Sequence, residues 1–212
     1  MGVCHFPAAG IALRAVPHLL TLGPTAIELT APPILQMGLA GAEAEAPARR
    51  ILAKAAKALL FVEFMEGNRV ANARKLKELA DLMARLGHVR SVSEVIGAAA
   101  QNAVRRAHDA GLSKIYGMTR LPAPFVPLSA LAISVERLEE AAEALGAAFE
   151  RHGWTVFFHG HAGSGVLHLH PWLGSQPENA GSRAAAAEAS EALRALAGHL
   201  PARTAMASPD RR

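Results

Sequence analysis

Residues 157–171 of the chain read Phe157-Phe158-His159-Gly160-His161-Ala162-Gly163-Ser164-Gly165-Val166-Leu167-His168-Leu169-His170-Pro171. The stretch holds four of the ten histidines and no charged side chain. Its apolar start, its Gly-Ser-Gly centre and its alternating exit predict a β-hairpin. Because side chains alternate along a strand, His159 and His161 share one face of the first strand. His168 and His170 likewise share one face of the second strand.

The register of this hairpin decides where the four imidazoles point. If the turn pairs His161 with His168, then His159 lies opposite His170. All four rings then project from one side of the hairpin, and this is the arrangement that we expect. A slip of one residue would turn one pair of rings to the other face.

A cluster of neutral imidazoles suits two kinds of chemistry. It can hold a borderline divalent metal such as zinc, iron or manganese. It can also take a proton from a substrate, because histidine titrates near neutral pH. The alternative is structural: the histidines are half-buried strand residues whose ring nitrogens are satisfied by neighbours. Two i,i+2 pairs that flank a glycine turn favour a functional site.

The composition indicates a single domain. The chain has 212 residues, of which 51% are hydrophobic and 5% aromatic, so its core is built from Leu, Val, Ile and small residues. The formal net charge is +4, and no basic stripe is interleaved with aromatic residues. Nucleic-acid binding is therefore not expected.

The cysteine content and the N-terminus bear on the compartment. The single cysteine, Cys4, excludes an intramolecular disulfide and fits a reducing environment. No apolar run reaches the roughly 18 residues of a membrane helix, and the N-terminus lacks the basic start of a signal peptide. We therefore expect a cytoplasmic protein without a membrane span.

Away from the hairpin, the apolar periodicity predicts alternating strands and helices. The predicted strands cover residues 2–7, 26–29, 58–64, 89–92 and 128–133. The predicted helices cover residues 8–22, 70–86, 93–110, 135–152 and 183–200. This order predicts an α+β fold in which helices cover one face of an antiparallel sheet, as in ferredoxin-like domains. We assign residues 1–172 to the domain, 173–200 to a linker and an alanine-rich helix, and 201–212 to a disordered tail.

The hairpin also resembles a known family. Residues 159–171 resemble a signature of FAD-linked oxidases, G-H-x-G-D-G-N-L-H-x-x-P. These enzymes are the relatives of glycolate oxidase and D-lactate dehydrogenase. Further segments resemble the C-terminal substrate domain of these enzymes in the same order: Gly2–Pro7, Gly23–Leu29, Leu59–Phe64, Ala103–Arg106 and Ile133–Leu138. The resemblance covers residues 1–172.

The resemblance implies a reaction and a set of histidines. Enzymes of this family oxidise a 2-hydroxy acid, such as D-lactate or glycolate, and pass a hydride to FAD, which a separate N-terminal domain holds. By resemblance, His161 and His168 bind a divalent metal such as zinc, which lowers the pKa of the substrate hydroxyl. His161, His168 and His170 are then the catalytic histidines.

The resemblance also implies contacts with substrate and flavin. Arg105 would bind the substrate carboxylate, because a guanidinium fork suits two oxygens. The alternative for Arg105 is a solvated arginine on a helix. Gly163, Ser164 and Gly165 would bind the cofactor.

Two parts of the family pattern have no counterpart in this sequence. It contains no flavin-binding domain, and no Glu-His-Gly motif follows Pro171. Independently of the family, no G-x-G-x-x-G opens a helix after a strand, so a Rossmann site is not expected. We therefore expect a truncated enzyme, a substrate domain that is inactive by itself. Two alternatives remain open: a subunit of a split flavoenzyme that receives its flavin domain in trans, and a non-catalytic module that binds a metal or a small acid.

Overall fold

A computed structural model describes residues 1–41, 45–52, 56–87, 91–118, 130–172, 184–185 and 187–192. The strands are β1 (Gly2–Phe6), β2 (Ala26–Thr30), β3 (Ala58–Glu63), β4 (Ser91–Glu94), β5 (Ala130–Ala132), β6 (Thr155–His159) and β7 (Val166–Trp172). The α-helices are α1 (Ala9–Leu20), α2 (Pro32–Leu39), α3 (Ala46–Leu52), α4 (Arg69–Leu86), α5 (Ala98–Met118) and α6 (Leu138–Glu150). Two short 3-10 turns cover Val135–Arg137 and Ala162–Ser164.

The first sheet has four strands in the order β2-β3-β1-β4, and every pairing in it is antiparallel. Its two central strands are apolar at successive positions, so they bury both of their faces. Val3 and Cys4, which point to opposite faces, are each 0% exposed. On β3, Leu60 is 0% exposed, and its neighbour Phe61, which points to the opposite face, is 2% exposed.

Helices therefore cover both faces of this sheet. Cys4 and Leu60 pack in one cluster with Leu13 of α1 and Leu79 of α4. On the other face the cluster is built from the first sheet together with α2, α3 and α5, through Val3, Phe61, Leu35, Ile51 and Val104. The prediction of an α+β fold with antiparallel pairing is confirmed. The single covered face that we expected is replaced by two, because β1 and β3 are apolar at successive positions.

The second sheet has three antiparallel strands in the order β5-β7-β6. Phe158 of β6 and Leu167 and Leu169 of β7 belong to the core cluster that includes Phe149 of α6. The histidine-bearing face of β7 lies on the other side, because side chains alternate along the strand. The sheet thus has one apolar face and one face that carries imidazoles.

Among the described residues, a backbone bridge between Leu29 and Gly160 joins the edge strands of the two sheets. The Leu29 N–H donates to the Gly160 carbonyl at 2.8 Å, and the Gly160 N–H donates to the Leu29 carbonyl at 3.0 Å. Gly160 has φ +141, and a Cβ there would lie 2.5 Å from the Val166 carbonyl oxygen. This position therefore requires glycine.

Several predicted boundaries shift. The helix predicted over 93–110 begins at Ala98 and continues to Met118, because Ser91–Glu94 pairs with β1 as a strand. α1 passes through Pro17 and ends at Leu20. The linker of 173–183 and the tail of 201–212 lie outside the described residues, as does most of the predicted 183–200 helix, of which 184–185 and 187–192 are helical. In the described part of the chain no helix has the length and hydropathy needed to cross a bilayer.

Candidate functional site

The hairpin forms, but its register differs from the expected one. His159 lies opposite His168, and Phe157 lies opposite His170. The expected pairing of His161 with His168 is therefore wrong. The chain leaves β6 at Gly160, where it bridges to β2, and then makes a 3-10 turn before β7. The shift amounts to two residues, so His159, His168 and His170 still share one face.

These three histidines form a row in which His159 is central. The His159 ring stacks on the His168 ring with centroids 4.7 Å apart and on the His170 ring with centroids 4.8 Å apart. Tyr116, in the last turn of α5, contacts the His170 ring edge-on at 5.2 Å. His159 is 5% exposed and His170 is 3% exposed. We call His159, His168 and His170 the imidazole row.

Both ring nitrogens of His159 have partners. Its Nδ1 lies 3.0 Å from Nε2 of His170, and its Nε2 lies 3.0 Å from the Tyr116 hydroxyl. Burial, followed by the neighbouring rings of His170 and His168, lowers the pKa of His159 from 6.5 to about 2. Burial, followed by the His168 ring, lowers the pKa of His170 to about 4. Both rings are therefore neutral at physiological pH.

His161 lies outside the row. It precedes the 3-10 turn, and its side chain is 64% exposed. Its Nδ1 lies 3.1 Å from Oε1 of Glu28. Glu28 precedes Leu29, which bridges to Gly160, so the backbone bridge between the sheets brings Glu28 and His161 together.

His108 of α5 is a further histidine near the row. It is 8% exposed, and its ring meets the Phe61 ring edge-on at 5.3 Å. Its Nδ1 is 3.7 Å from Oδ1 of Asp109, and its buried Nε2 has no hydrogen-bond partner among the described residues. Burial lowers the pKa of His108. A neutral ring is therefore favoured here too.

These side chains surround one cavity of about 280 Å³. Its lining residues come from β2, α5, β6, β7 and the turn between the last two strands: Glu28, Leu29, His108, Asp109, Leu112, Tyr116, His159, Gly160, His161 and His168. We call it the histidine cavity. Of the predicted catalytic residues it brings together His161 and His168, whereas His170 lies behind His159.

Arg105 lines a different cavity. That space, of about 710 Å³, is also lined by Gln101, Glu63 and Met1. The Arg105 guanidinium pairs with the Glu63 carboxylate at 2.6 Å. The structure therefore does not bring Arg105 together with the histidines.

The glycines of the hairpin turn are held by packing. A Cβ on Gly163 would lie 3.2 Å from the Ile27 Cβ. Gly165 has φ +75, and a Cβ there would collide with the Ile133 carbonyl oxygen. Ser164 donates from its hydroxyl to the His161 carbonyl at 3.0 Å.

The comparison with protein families settles the affiliation of the chain. Residues 1–202 match the family described as FAD linked oxidases, C-terminal domain. The chain belongs to this family. A comparison with curated proteins found no match.

The turn of this FAD-linked oxidase domain does not fit a flavin cradle. Ile27 of β2 packs where a side chain on Gly163 would lie, and the Ile133 carbonyl lies where a side chain on Gly165 would lie. The Ser164 hydroxyl is used within the turn. This packing gives no support to cofactor binding by Gly163, Ser164 and Gly165, which stays a prediction.

The donor set of this FAD-linked oxidase domain does not fit a closed metal site either. The described residues contain no group of three or more His, Cys, Asp or Glu side chains that could hold a metal ion. His159 and His170 use ring nitrogens on each other, and His159 also bonds Tyr116. A structural zinc site takes four protein ligands and a catalytic one takes three. Metal binding by His161 and His168 stays a prediction.

Sequence reasoning missed several members of this site, including His108. His159 was expected on the right face but was not among the predicted catalytic residues, although it is the centre of the row. Glu28 is a charged residue in a short apolar strand, which is a usable signal. Tyr116 is the single tyrosine of the chain and gives no local signal, because its contact with His159 spans 43 positions of sequence.

Proposed function

We propose that this domain is the substrate side of a flavin-dependent 2-hydroxyacid dehydrogenase of the D-lactate or glycolate type. Membership of the FAD-linked oxidases supports an oxidoreductase that works with FAD. The observation that carries the proposal is the meeting of His159, His161 and His168 around a cavity of about 280 Å³. Ligand pockets begin at roughly 300 Å³, so this one suits a small acid.

The residues around the cavity have different roles in this proposal. Nε2 of His161 is not bonded to any described residue, so it is the atom that would take the hydroxyl proton of the acid. The Glu28 carboxylate beside Nδ1 favours a proton on that nitrogen, which leaves Nε2 as the acceptor. His168, held against His159, would contact the acid from the opposite strand.

The electron acceptor comes from elsewhere in this proposal. FAD would accept the hydride of the acid, and another domain or a separate polypeptide would hold the flavin, as the family resemblance implies. The isolated chain is then expected to bind the acid without oxidising it. A split flavoenzyme, completed in trans, is one form of this arrangement.

Acid binding can be measured on the chain alone. Histidine-labelled protein is titrated with D-lactate and glycolate, and the ring resonances are followed by NMR. We expect the signals of His161 and His168 to shift, and propionate, which lacks the hydroxyl, to cause a much smaller shift. His168→Ala should weaken the response, while the matched variant of the exposed His18, His18→Ala, should leave it unchanged. Equal shifts with propionate, or none with either hydroxy acid, would refute the proposal.

A further inference from the structure

Tyr116 is a polar side chain of the histidine cavity to which the proposed reaction assigns no role. It is half exposed, yet its hydroxyl reaches Nε2 of the buried His159 at 3.0 Å. The bond joins the end of α5 to β6, two elements that are far apart in sequence. Its ring also contacts both His159 and His170, at 5.7 and 5.2 Å.

The direction of this hydrogen bond follows from the two groups. A phenol is a good donor, and an unprotonated imidazole nitrogen is a good acceptor. Burial raises the pKa of Tyr116, so the phenol keeps its proton. These properties favour a hydroxyl that donates to Nε2 of His159, which would place the ring proton of His159 on Nδ1.

The hydrogen bond between His159 and His170 extends this arrangement of protons to a second ring of the imidazole row. With the proton on Nδ1, His159 would donate to Nε2 of His170, which lies 3.0 Å away. The His159 ring also stacks on the His168 ring, with centroids 4.7 Å apart, so the orientation of His159 affects that of His168. In this arrangement one hydroxyl at the cavity would set the proton positions of two buried rings, His159 and His170.

We propose that Tyr116 is a positioning residue of this site, which selects one tautomer of His159 and so holds the imidazole row in the arrangement that faces the cavity. The consequence for acid binding rests on the proposed function. The tautomer itself does not, because it exists in the free protein. A tyrosine that served only to cover the cavity would leave the proton positions of His159 unchanged when its hydroxyl is removed.

The test uses Tyr116→Phe in the full chain, which keeps the ring and removes the hydroxyl. Ring nitrogen chemical shifts distinguish a protonated from an unprotonated nitrogen, so they report the tautomer of His159 directly. In the wild type we expect the Nδ1–H form alone. In the variant we expect a mixture of both forms, and an affinity for D-lactate that is about tenfold weaker, which corresponds to about 1.4 kcal/mol.

Ser91→Ala is the matched control. The Ser91 hydroxyl lies 3.2 Å from Nδ1 of the buried His5 in the first sheet, so the variant removes a hydroxyl–imidazole contact outside the row, while that nitrogen keeps the Ser91 carbonyl at 3.3 Å. It should alter His5 alone and leave the His159 tautomer and D-lactate affinity unchanged.

The outcomes separate the two proposals. A His159 tautomer that is the same in wild type and Tyr116→Phe overturns the positioning role, whatever the affinity. A wild type that binds no hydroxy acid, together with a tautomer that changes in Tyr116→Phe, overturns the proposed function and leaves the positioning role supported.

Discussion

His159 Nδ1 lies 3.0 Å from Nε2 of His170, although the strand register places His159 opposite His168 and Phe157 opposite His170. The hydrogen bond therefore runs diagonally between neighbouring strands. It joins two rings that are almost fully removed from water, at 5% and 3% exposure. A buried pair of this kind is stable only while at least one ring nitrogen of the bond lacks a proton, because two donors cannot face each other.

The first prediction is that low pH destabilises the folded chain through His159 and His170. The pKa of His159 is about 2 and that of His170 about 4 in the folded chain, against 6.5 for the ordinary group. The unfolded chain therefore binds more protons than the folded chain as pH falls below 6.5, and stability falls with it. Above that pH this loss is absent. Each histidine contributes up to about 1.4 kcal/mol per pH unit.

Denaturant unfolding between neutral pH and the acid region measures this slope. His159→Asn with His170→Asn should flatten the curve over the same range. His18→Asn, a change at an exposed histidine, should not. A stability that is constant across the range in the wild type would contradict the assignment of two neutral buried rings.

The second prediction concerns the turn of the hairpin. Gly165→Ala should destabilise the fold by about 1–3 kcal/mol or more, because the position combines φ +75 with close contact to the Ile133 carbonyl. Gly146→Ala is the control. It lies within α6 with nothing within 4 Å of an added Cβ, so it should be neutral or stabilising by up to about 1 kcal/mol. Thermal unfolding of both variants checks the pair, and equal effects would contradict the geometry of the turn.

The third prediction concerns Arg105. Because it pairs with Glu63 in another cavity, Arg105→Gln should change the affinity for D-lactate by less than about twofold. Its effect on stability should stay within about 1 kcal/mol, since the pair is partly exposed. Calorimetric titration with D-lactate measures the affinity. A large loss of affinity would place Arg105 in the acid site, as the family resemblance implies.

The fourth prediction concerns metal. We expect zinc to bind weakly, because the described residues supply no group of three ligands and the ring nitrogens of His159 are already used. Calorimetric titration with zinc, in the wild type and in His161→Ala, measures this. Tight binding that His161→Ala abolishes would show that the site rearranges around a metal.

Local patterns were sufficient for much of the fold. The nearly continuous apolar run at 58–64 predicted a strand, and the apolar spacing at 70–86 predicted an amphipathic helix. Both are confirmed, as Ala58–Glu63 and Arg69–Leu86. The apolar character of β1 and β3 on both faces was equally visible in the sequence, and it should have indicated helices on both sides of the sheet. The start of α5 could not be read locally, because β4 is drawn into the sheet by pairing with β1.

By itself the sequence determined the hairpin and the family resemblance. It also determined the alternation of side chains that puts His159, His168 and His170 on one face. Each of these depends on residues that are close along the chain. Only the tertiary structure decided the register, the displacement of His161 toward Glu28 and the bond from Tyr116 to His159. The bridge between Leu29 and Gly160 ends β6 early, and contacts between residues so distant in sequence leave no periodic trace in either segment. Packing between the two sheets and α5 therefore selected which of the imidazoles face the cavity and which are held behind them.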